Sequence, residues 1–190
     1  MRRWLAVSAV LAAALTGCTN VDASPIGTGI SPASAPASEQ PLPPAGQHWK
    51  GLRAKCPELT SGAAQKLGAA GAGAPTDEYA TGAVVTDADC HWGSSDGHGT
   101  AVDARVSIWS RQEAADAQWR TLSSGQTTPL RVGDVGLIAD EAEAVVVRAR
   151  SGNAVATVRL IPPTDRPDTG PLRQVAAEIT DDVLDDLVAG

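Results

Sequence analysis

The chain has 190 residues, with 15 basic and 22 acidic side chains and a formal net charge of −7. An acidic chain without a lysine or arginine run repels nucleic acid and anionic headgroups, so no nucleic-acid partner is expected. There is no Phe and one Tyr, so the bulk of any core must come from Trp, Leu, Ile and Val, and the length allows one domain of ordinary size.

The first eighteen residues carry the plainest signal. Arg2 and Arg3 precede an apolar run from Trp4 to Leu15, and Leu15-Thr16-Gly17-Cys18 closes it. That is a basic region, an apolar stretch and a small-residue cleavage site. A dozen or so apolar residues fall short of the ~20 that cross ~30 Å of hydrocarbon. The closing tetrapeptide resembles the lipobox of bacterial lipoproteins. The resemblance implies a signal peptide over residues 1–17, cleavage just before Cys18, and a diacylglycerol on the Cys18 thiol. Two or three acyl chains hold a protein firmly on a bilayer, at about 0.8 kcal/mol per buried methylene. The expected location is therefore the cell membrane, lipid-anchored on its extracytoplasmic side. Loss of Arg2 and Arg3 with the signal leaves 13 basic and 22 acidic side chains, a net charge of −9.

Residues 18–47 read as the lipidated cysteine and a flexible linker. Pro25, Pro32, Pro36, Pro41, Pro43 and Pro44 lie among Ser, Ala, Thr and Gly. Such a segment buries too little apolar surface to offset its ordering entropy. It reads as a tether of ~30 Å r.m.s. span. Pro41-Leu42-Pro43-Pro44 as a docking segment is the weaker alternative.

A globular domain is expected over residues 48–190. With Cys18 taken as the anchor, Cys56 and Cys90 remain as an even pair in an exported chain, which favours a disulfide. It would close a loop of about 35 residues, worth about 4 kcal/mol on the chain-entropy model. The alternative is a metal site drawn from Cys56, Cys90, His91 and His98, but no recognised ligand spacing supports it.

In chain order, Thr60 is the expected N-cap of a short helix that ends at Gly68. A Gly/Ala loop follows over residues 68–77. Ala83-Val84-Val85 and Asp89-Cys90-His91-Trp92 read as two strands. Val102, Ala104, Val106 and Ile108 alternate with polar residues, the period of a strand with one buried face. Ser110-Arg111-Gln112-Glu113 has the form of a capping box. It opens a helix with Ala115, Trp119 and Leu122 on its buried stripe, ended by Gly125. Leu130 to Leu137 reads as irregular. Ala144–Arg150 and Ala154–Leu160 form the clearest hairpin, turning at Ser151-Gly152-Asn153. Pro162 to Pro171 is a loop, and Pro171 suits the first turn of a last helix. That helix places Leu172, Val175, Ile179, Val183 and Leu187 on one face, and Asp181, Asp182, Asp185 and Asp186 mostly around the other. The expected fold is α+β: an antiparallel sheet packed with helices, one domain behind a signal peptide and a disordered linker.

Several features in order resemble actinobacterial lipoproteins carrying the domain of unknown function numbered 3558. They are Cys56-Pro57-Glu58-Leu59-Thr60 before an Ala-rich helix, Cys90-His91-Trp92, Val135-Gly136-Leu137-Ile138-Ala139-Asp140-Glu141-Ala142, and the Val-rich hairpin with Gly152-Asn153 in its turn. The resemblance covers residues 50–190 and departs at Ile138-Ala139, where a glycine is usual. It implies an envelope-anchored α+β domain and supplies no catalytic residues.

The residues themselves offer no catalytic constellation. There is no Gly-x-Ser-x-Gly, and His48, His91 and His98 are scattered. Asp140, Glu141 and Glu143 lack the alternation of a calcium loop and read as a strand-entry turn. The C-terminal aspartates read as a solvated helix face, with a cation or basic partner as the sharper alternative. Trp92, Trp109 and Trp119 read as core bulk, but Trp109 falls on the opposite face of its strand from Val106 and Ile108. It is the candidate ligand-binding residue, provided no helix covers it. The expectation is a non-catalytic binding or interaction module without a cofactor, taking an envelope protein or a small ligand. A carrier of a small apolar or glycan ligand is the runner-up, and an envelope enzyme comes third.

Overall fold

The structure is a computed structural model that describes residues 47–78, 82–94 and 96–190. The signal peptide, Cys18 and nearly all of the linker lie outside the described residues. The chain opens with β1 (Trp49–Leu52), β2 (Glu58–Leu59), α1 (Gly62–Leu67), β3 (Gly71–Ala72) and β4 (Ala74–Glu78). Next come β5 (Val84–Gly93), β6 (Ala101–Trp109), α2 (Gln112–Leu122), β7 (Thr128–Leu130) and β8 (Val135–Glu141). It closes with β9 (Ala144–Ser151), β10 (Ala154–Ile161), α3 (Gly170–Asp185) and β11 (Leu187–Ala189).

Seven strands form one antiparallel sheet in the order β4-β5-β6-β10-β9-β8-β7, and β1-β11 and β2-β3 form two small pairs. The fold is α+β, as the alternating strands and short turns predict. Val102, Ala104, Val106 and Ile108 are buried on the inner face of β6, beside Trp92 and Cys90 of β5. Helix α3 packs over that face, and Leu172, Ala176, Ile179 and Val183 are the buried residues of its stripe. Among the described residues no helix is long and apolar enough to cross a membrane.

Cys56 and Cys90 are bonded to each other. The bridge ties the segment ahead of β2 to the inner face of β5, and it leaves neither thiol for a metal.

The β9-β10 hairpin forms where the alternation places it. Ser151 pairs with Ala154, so the turn is Gly152-Asn153. Gly152 has φ +54, and a Cβ there would lie 1.7 Å from the Gln47 carbonyl oxygen. Only glycine fits. Asn153 is buried, and its side chain links three segments. Its Oδ1 accepts from the Trp49 N–H at 2.6 Å, and its Nδ2 donates to the carbonyls of Trp49 at 2.9 Å and Trp109 at 2.5 Å.

Several elements differ from the sequence expectation. Residues 84–93 are one strand, not two, because the pairing shifts between Val84 and Thr86 and leaves Val85 exposed there. Within residues 68–77 lie β3 and the start of β4. Small side chains and a proline carry no period of two, so only the partner strands reveal them. Of the stretch Leu130 to Leu137 read as irregular, Leu130 ends β7 and residues 135–137 open β8, which runs on through residues 138–139. Residues 135–139 are all buried, which erases the alternation. A Cβ on Gly136 would lie 2.3 Å from Val132, so glycine lets the chain fold back closely into β7. Leu187 belongs to β11, which pairs with β1, and not to α3.

Two caps also shift. Ser61, not Thr60, caps α1 and accepts from the Ala64 N–H at 3.1 Å, while Gly68 closes the helix at φ +70. The capping box before α2 does not form. Ser110 still donates its N–H to the Ala83 carbonyl at 2.8 Å, and Arg111 stays extended at φ −140. The helix therefore starts one residue late for Ser110 and Glu113 to face each other.

The C-terminal acids are not simply a solvated face. Asp182 and Asp186 are buried. Asp182 accepts from the Ser61 N–H at 3.0 Å and the Thr60 hydroxyl at 3.5 Å. Asp186 accepts from the Glu58 N–H at 2.9 Å, and Glu178 from the Ala63 N–H at 3.2 Å. These carboxylates fasten β2 and the first turn of α1 onto α3. Asp181 and Asp185 are exposed. Partial burial, then the charges of Asp185 and Asp182, raise the Asp181 pKa above the ordinary carboxylate value.

Two stability tests follow from these contacts. Asn153→Ala removes three buried hydrogen bonds and should cost about 3 kcal/mol in urea unfolding, at roughly 1 kcal/mol each. A loss below the error of the measurement would contradict the link between β1, β6 and the hairpin. Asp181→Asn should stabilise by a few tenths of a kcal/mol at neutral pH, the scale of an i,i+4 repulsion with Asp185. A raised folded pKa means that ionisation of Asp181 destabilises. The advantage of the variant should therefore shrink as pH falls through the carboxylate range and the native Asp181 protonates.

Candidate functional site

The outer face of the sheet, opposite the core, carries rows of mixed polar and apolar side chains set by strand register. One row runs Asp87, Ser107, Val155, Arg150 and Val135 across β5, β6, β10, β9 and β8. The next runs Asp89, Arg105, Thr157, Arg148 and Leu137. The same period of two that buries Val106 and Ile108 turns Arg105, Ser107 and Trp109 to this face.

Helix α2 covers one part of the face. Ala115 and Trp119 are its buried residues, and Trp119 packs with Val135 and Leu137. Arg150 lies fully buried and forms an ion pair with Asp116 of α2. Burial lowers the pKa of its guanidinium.

Beside α2 lies an open cleft of about 350 Å³. Trp109, Val84, Val155 and Leu122 supply its apolar surface, and Asp87, Arg105, Ser107, Thr157 and Gln118 its polar one. A second groove of about 330 Å³ shares Arg105 and Thr157 and continues past Asp89, Asp103 and Arg159 to Thr76. A third hollow, about 430 Å³, lies between residues 125–128 and Ile138–Asp140. There Arg173 pairs with Asp140 at 2.9 Å.

The polar groups of the cleft are held in place. Asp87 is buried and accepts from Arg105 Nε at 3.1 Å, Arg105 Nη2 at 2.5 Å and the Ser107 hydroxyl at 2.7 Å. The hydrogen bond to Asp87 is the largest cause of a raised Arg105 pKa, and the charges of Asp87 and Asp89 add to it. His91 Nδ1 lies 2.7 Å from Asp103 Oδ1, while His91 Nε2 is buried without a hydrogen-bond partner. The arrangement can hold a ligand between an apolar wall and directed donors and acceptors. It offers His91 an orienting carboxylate but no hydroxyl or thiol at Nε2 to activate.

Of the residues singled out in the sequence, Trp109 reaches the cleft. It is half-buried, partly covered by α2, and its Nε1 is buried without an acceptor. Trp92 faces the core and donates to the Gly71 carbonyl at 3.0 Å. His98 is exposed in the β5-β6 loop, its backbone N–H on Asp96 at 3.0 Å. Among the described residues no three His, Cys, Asp or Glu side chains stand together to hold a metal ion. Asp140 and Glu141 are the last paired residues of β8, and the turn into β9 is Ala142-Glu143, so of the three acids only Glu143 lies in the turn read for them. Sequence reasoning missed Asp87, Gln118, Thr157 and the Arg150–Asp116 pair. Strand parity could have placed Arg105 and Ser107 beside Trp109. Nothing in the pattern says where α2 lands.

Compared with protein-family models, curated proteins and solved structures, the chain matches none of them.

The Arg150–Asp116 pair fixes the helix that walls the cleft. Asp116→Ala leaves a buried unpaired guanidinium and should cost about 3–5 kcal/mol in urea unfolding. Adding Arg150→Leu should recover most of that loss. A single variant as stable as the parent would show that α2 is held by Ala115 and Trp119 alone.

Proposed function

We propose that the protein is a lipid-anchored component of the cell envelope. Cys18 carries the anchor, residues 18–47 form the tether, and residues 48–190 form a non-catalytic binding or interaction module. The module takes its partner in the cleft between α2 and the outer sheet face. The observation that carries this reading is the cleft itself, which sets Trp109 and Leu122 against a floor ordered by Asp87 and Arg105.

The carrier reading, in its apolar form, finds less support. An apolar ligand would have to desolvate the Asp87–Arg105 pair, which is unfavourable. The cleft is also open rather than enclosed. A flat apolar docking patch finds none either, because Val85 is the one large exposed hydrophobic among the described residues. The enzyme reading would need a nucleophile beside His91, and its Nε2 has no partner. Cys56 and Cys90 are spent on each other.

The test uses the full chain, expressed with its own first eighteen residues. A photoreactive residue at Gln118 should give a discrete adduct in the native envelope, and Trp109→Ala should abolish it. The Cys18→Ala form should lose acyl label and leave the membrane fraction. Adducts that persist in Trp109→Ala would move the binding surface elsewhere. Acyl labelling that persists in Cys18→Ala would remove the anchor. Turnover of esters, peptides or glycans that disappears with His91→Ala would replace the binding reading by an enzymatic one.

A further inference from the structure

We propose that the cleft takes a neutral saccharide, with one sugar ring against Trp109 and a second continuing into the adjoining groove. The proposal rests on the reading of the cleft as a binding site and names what fills it. Four observations lead to it.

The first is charge. Asp87 and Arg105 are the two charged side chains lining the cleft, and they neutralise each other. In the adjoining groove Asp89 and Asp103 stand against Arg105 and Arg159. Arg105 is shared, so the two volumes together hold three carboxylates and two arginines, with Asp103 also against His91 Nδ1, and an anion meets no uncompensated positive charge there.

The second is hydrogen-bonding capacity. A guanidinium has five N–H donors, and Arg105 spends two of them on Asp87. The Ser107 hydroxyl donates to Asp87, which leaves its oxygen lone pairs to accept. Thr157 and Gln118 add groups that both donate and accept. A sugar hydroxyl needs donors and acceptors side by side, already fixed in direction. The Asp87–Arg105–Ser107 cluster provides that.

The third is the wall. Trp109 lines the cleft with its Nε1 buried, so the indole presents no free N–H there. With Leu122 and Val84 it offers an apolar surface for the C–H face of a pyranose. The two volumes, about 350 and 330 Å³, meet at Arg105 and Thr157, so the path suits a ligand of more than one ring.

The fourth is what the floor denies a peptide. Strands β5, β6 and β10 are each paired on both edges. An extended peptide on this face finds no free main-chain groups to add to, whereas a saccharide needs side chains alone.

The experiment titrates the full chain in detergent solution, by calorimetry, with short neutral oligomers of glucose, mannose, galactose and N-acetylglucosamine. Their uronic-acid counterparts serve as charged comparisons. At least one neutral series should bind, and its acidic counterpart should bind no better. Trp109→Ala should weaken that binding about tenfold or more. Gln118→Ala and Thr157→Ala, which leave the core intact, should each weaken it several-fold, so the proposal stays testable if Trp109→Ala fails to fold. Binding unchanged in all three variants overturns the proposal. So does failure of every neutral series to bind. If no saccharide binds yet the Trp109-dependent adduct at Gln118 still forms in the envelope, the saccharide is wrong and the binding module stands. If neither is seen, both readings fall.

Discussion

Asn153 places a buried carboxamide where the first strand, the end of β6 and the β9-β10 turn converge. Trp49 and Trp109 share its hydrogen-bonding groups, and the backbone carbonyl of Asn153 takes the Trp109 N–H at 3.0 Å. The geometry depends on its neighbour. Gly152 lets the turn close against the Gln47 carbonyl, a contact that any Cβ would forbid. Asp134 accepts the Gly152 N–H at 2.6 Å, which brings the β7-β8 connection to the same point. Four segments distant in sequence are thus fixed by one two-residue turn. Trp109, the last residue of β6, takes its place at the cleft from that anchorage.

The parts of this fold that were legible are those whose side chains alternate between two different environments. β6 has core on one side and an open polar face on the other, so its period of two is clean. The β9-β10 hairpin adds a glycine-containing turn of the right length. Where both faces are buried, as along residues 135–139, the alternation vanishes and the strand is hidden. Where side chains are absent or tiny, as from Gly71 to Ala74, pairing is decided by the partner strand. The caps failed for a related reason. Ser110 and Thr60 have the right chemistry, but Ser110 is held by Ala83 and Thr60 by Asp182. Tertiary bonds outbid the local ones.

The candidate site was legible one residue at a time. Parity separated Trp109 from Val106 and Ile108. It could not say that α2 would lean over the same face, because that depends on a buried pair between residues 116 and 150. Asp116 sits one position off the apolar stripe of α2, and Arg150 looks like one more outward residue of an exposed strand. Only the approach of the two elements makes either one internal. The disulfide needed no such long-range knowledge, since the two cysteines left beside Cys18 in a chain read as exported already argue for it.

Much of the acidic excess of the chain is taken up within the fold. Glu178, Asp182 and Asp186 serve backbone N–H groups of the β2-α1 segment, and Asp134 serves the Gly152 turn. Asp87 and Asp116 each meet an arginine. In a domain with no Phe and few lysines, carboxylates do much of the fastening that larger side chains do elsewhere. Their charge is therefore directed inward, at particular donors. What remains at the cleft is a locally neutral surface dense in fixed hydrogen-bonding groups beside an indole. That combination discriminates by the direction of hydrogen bonds, with little dependence on salt.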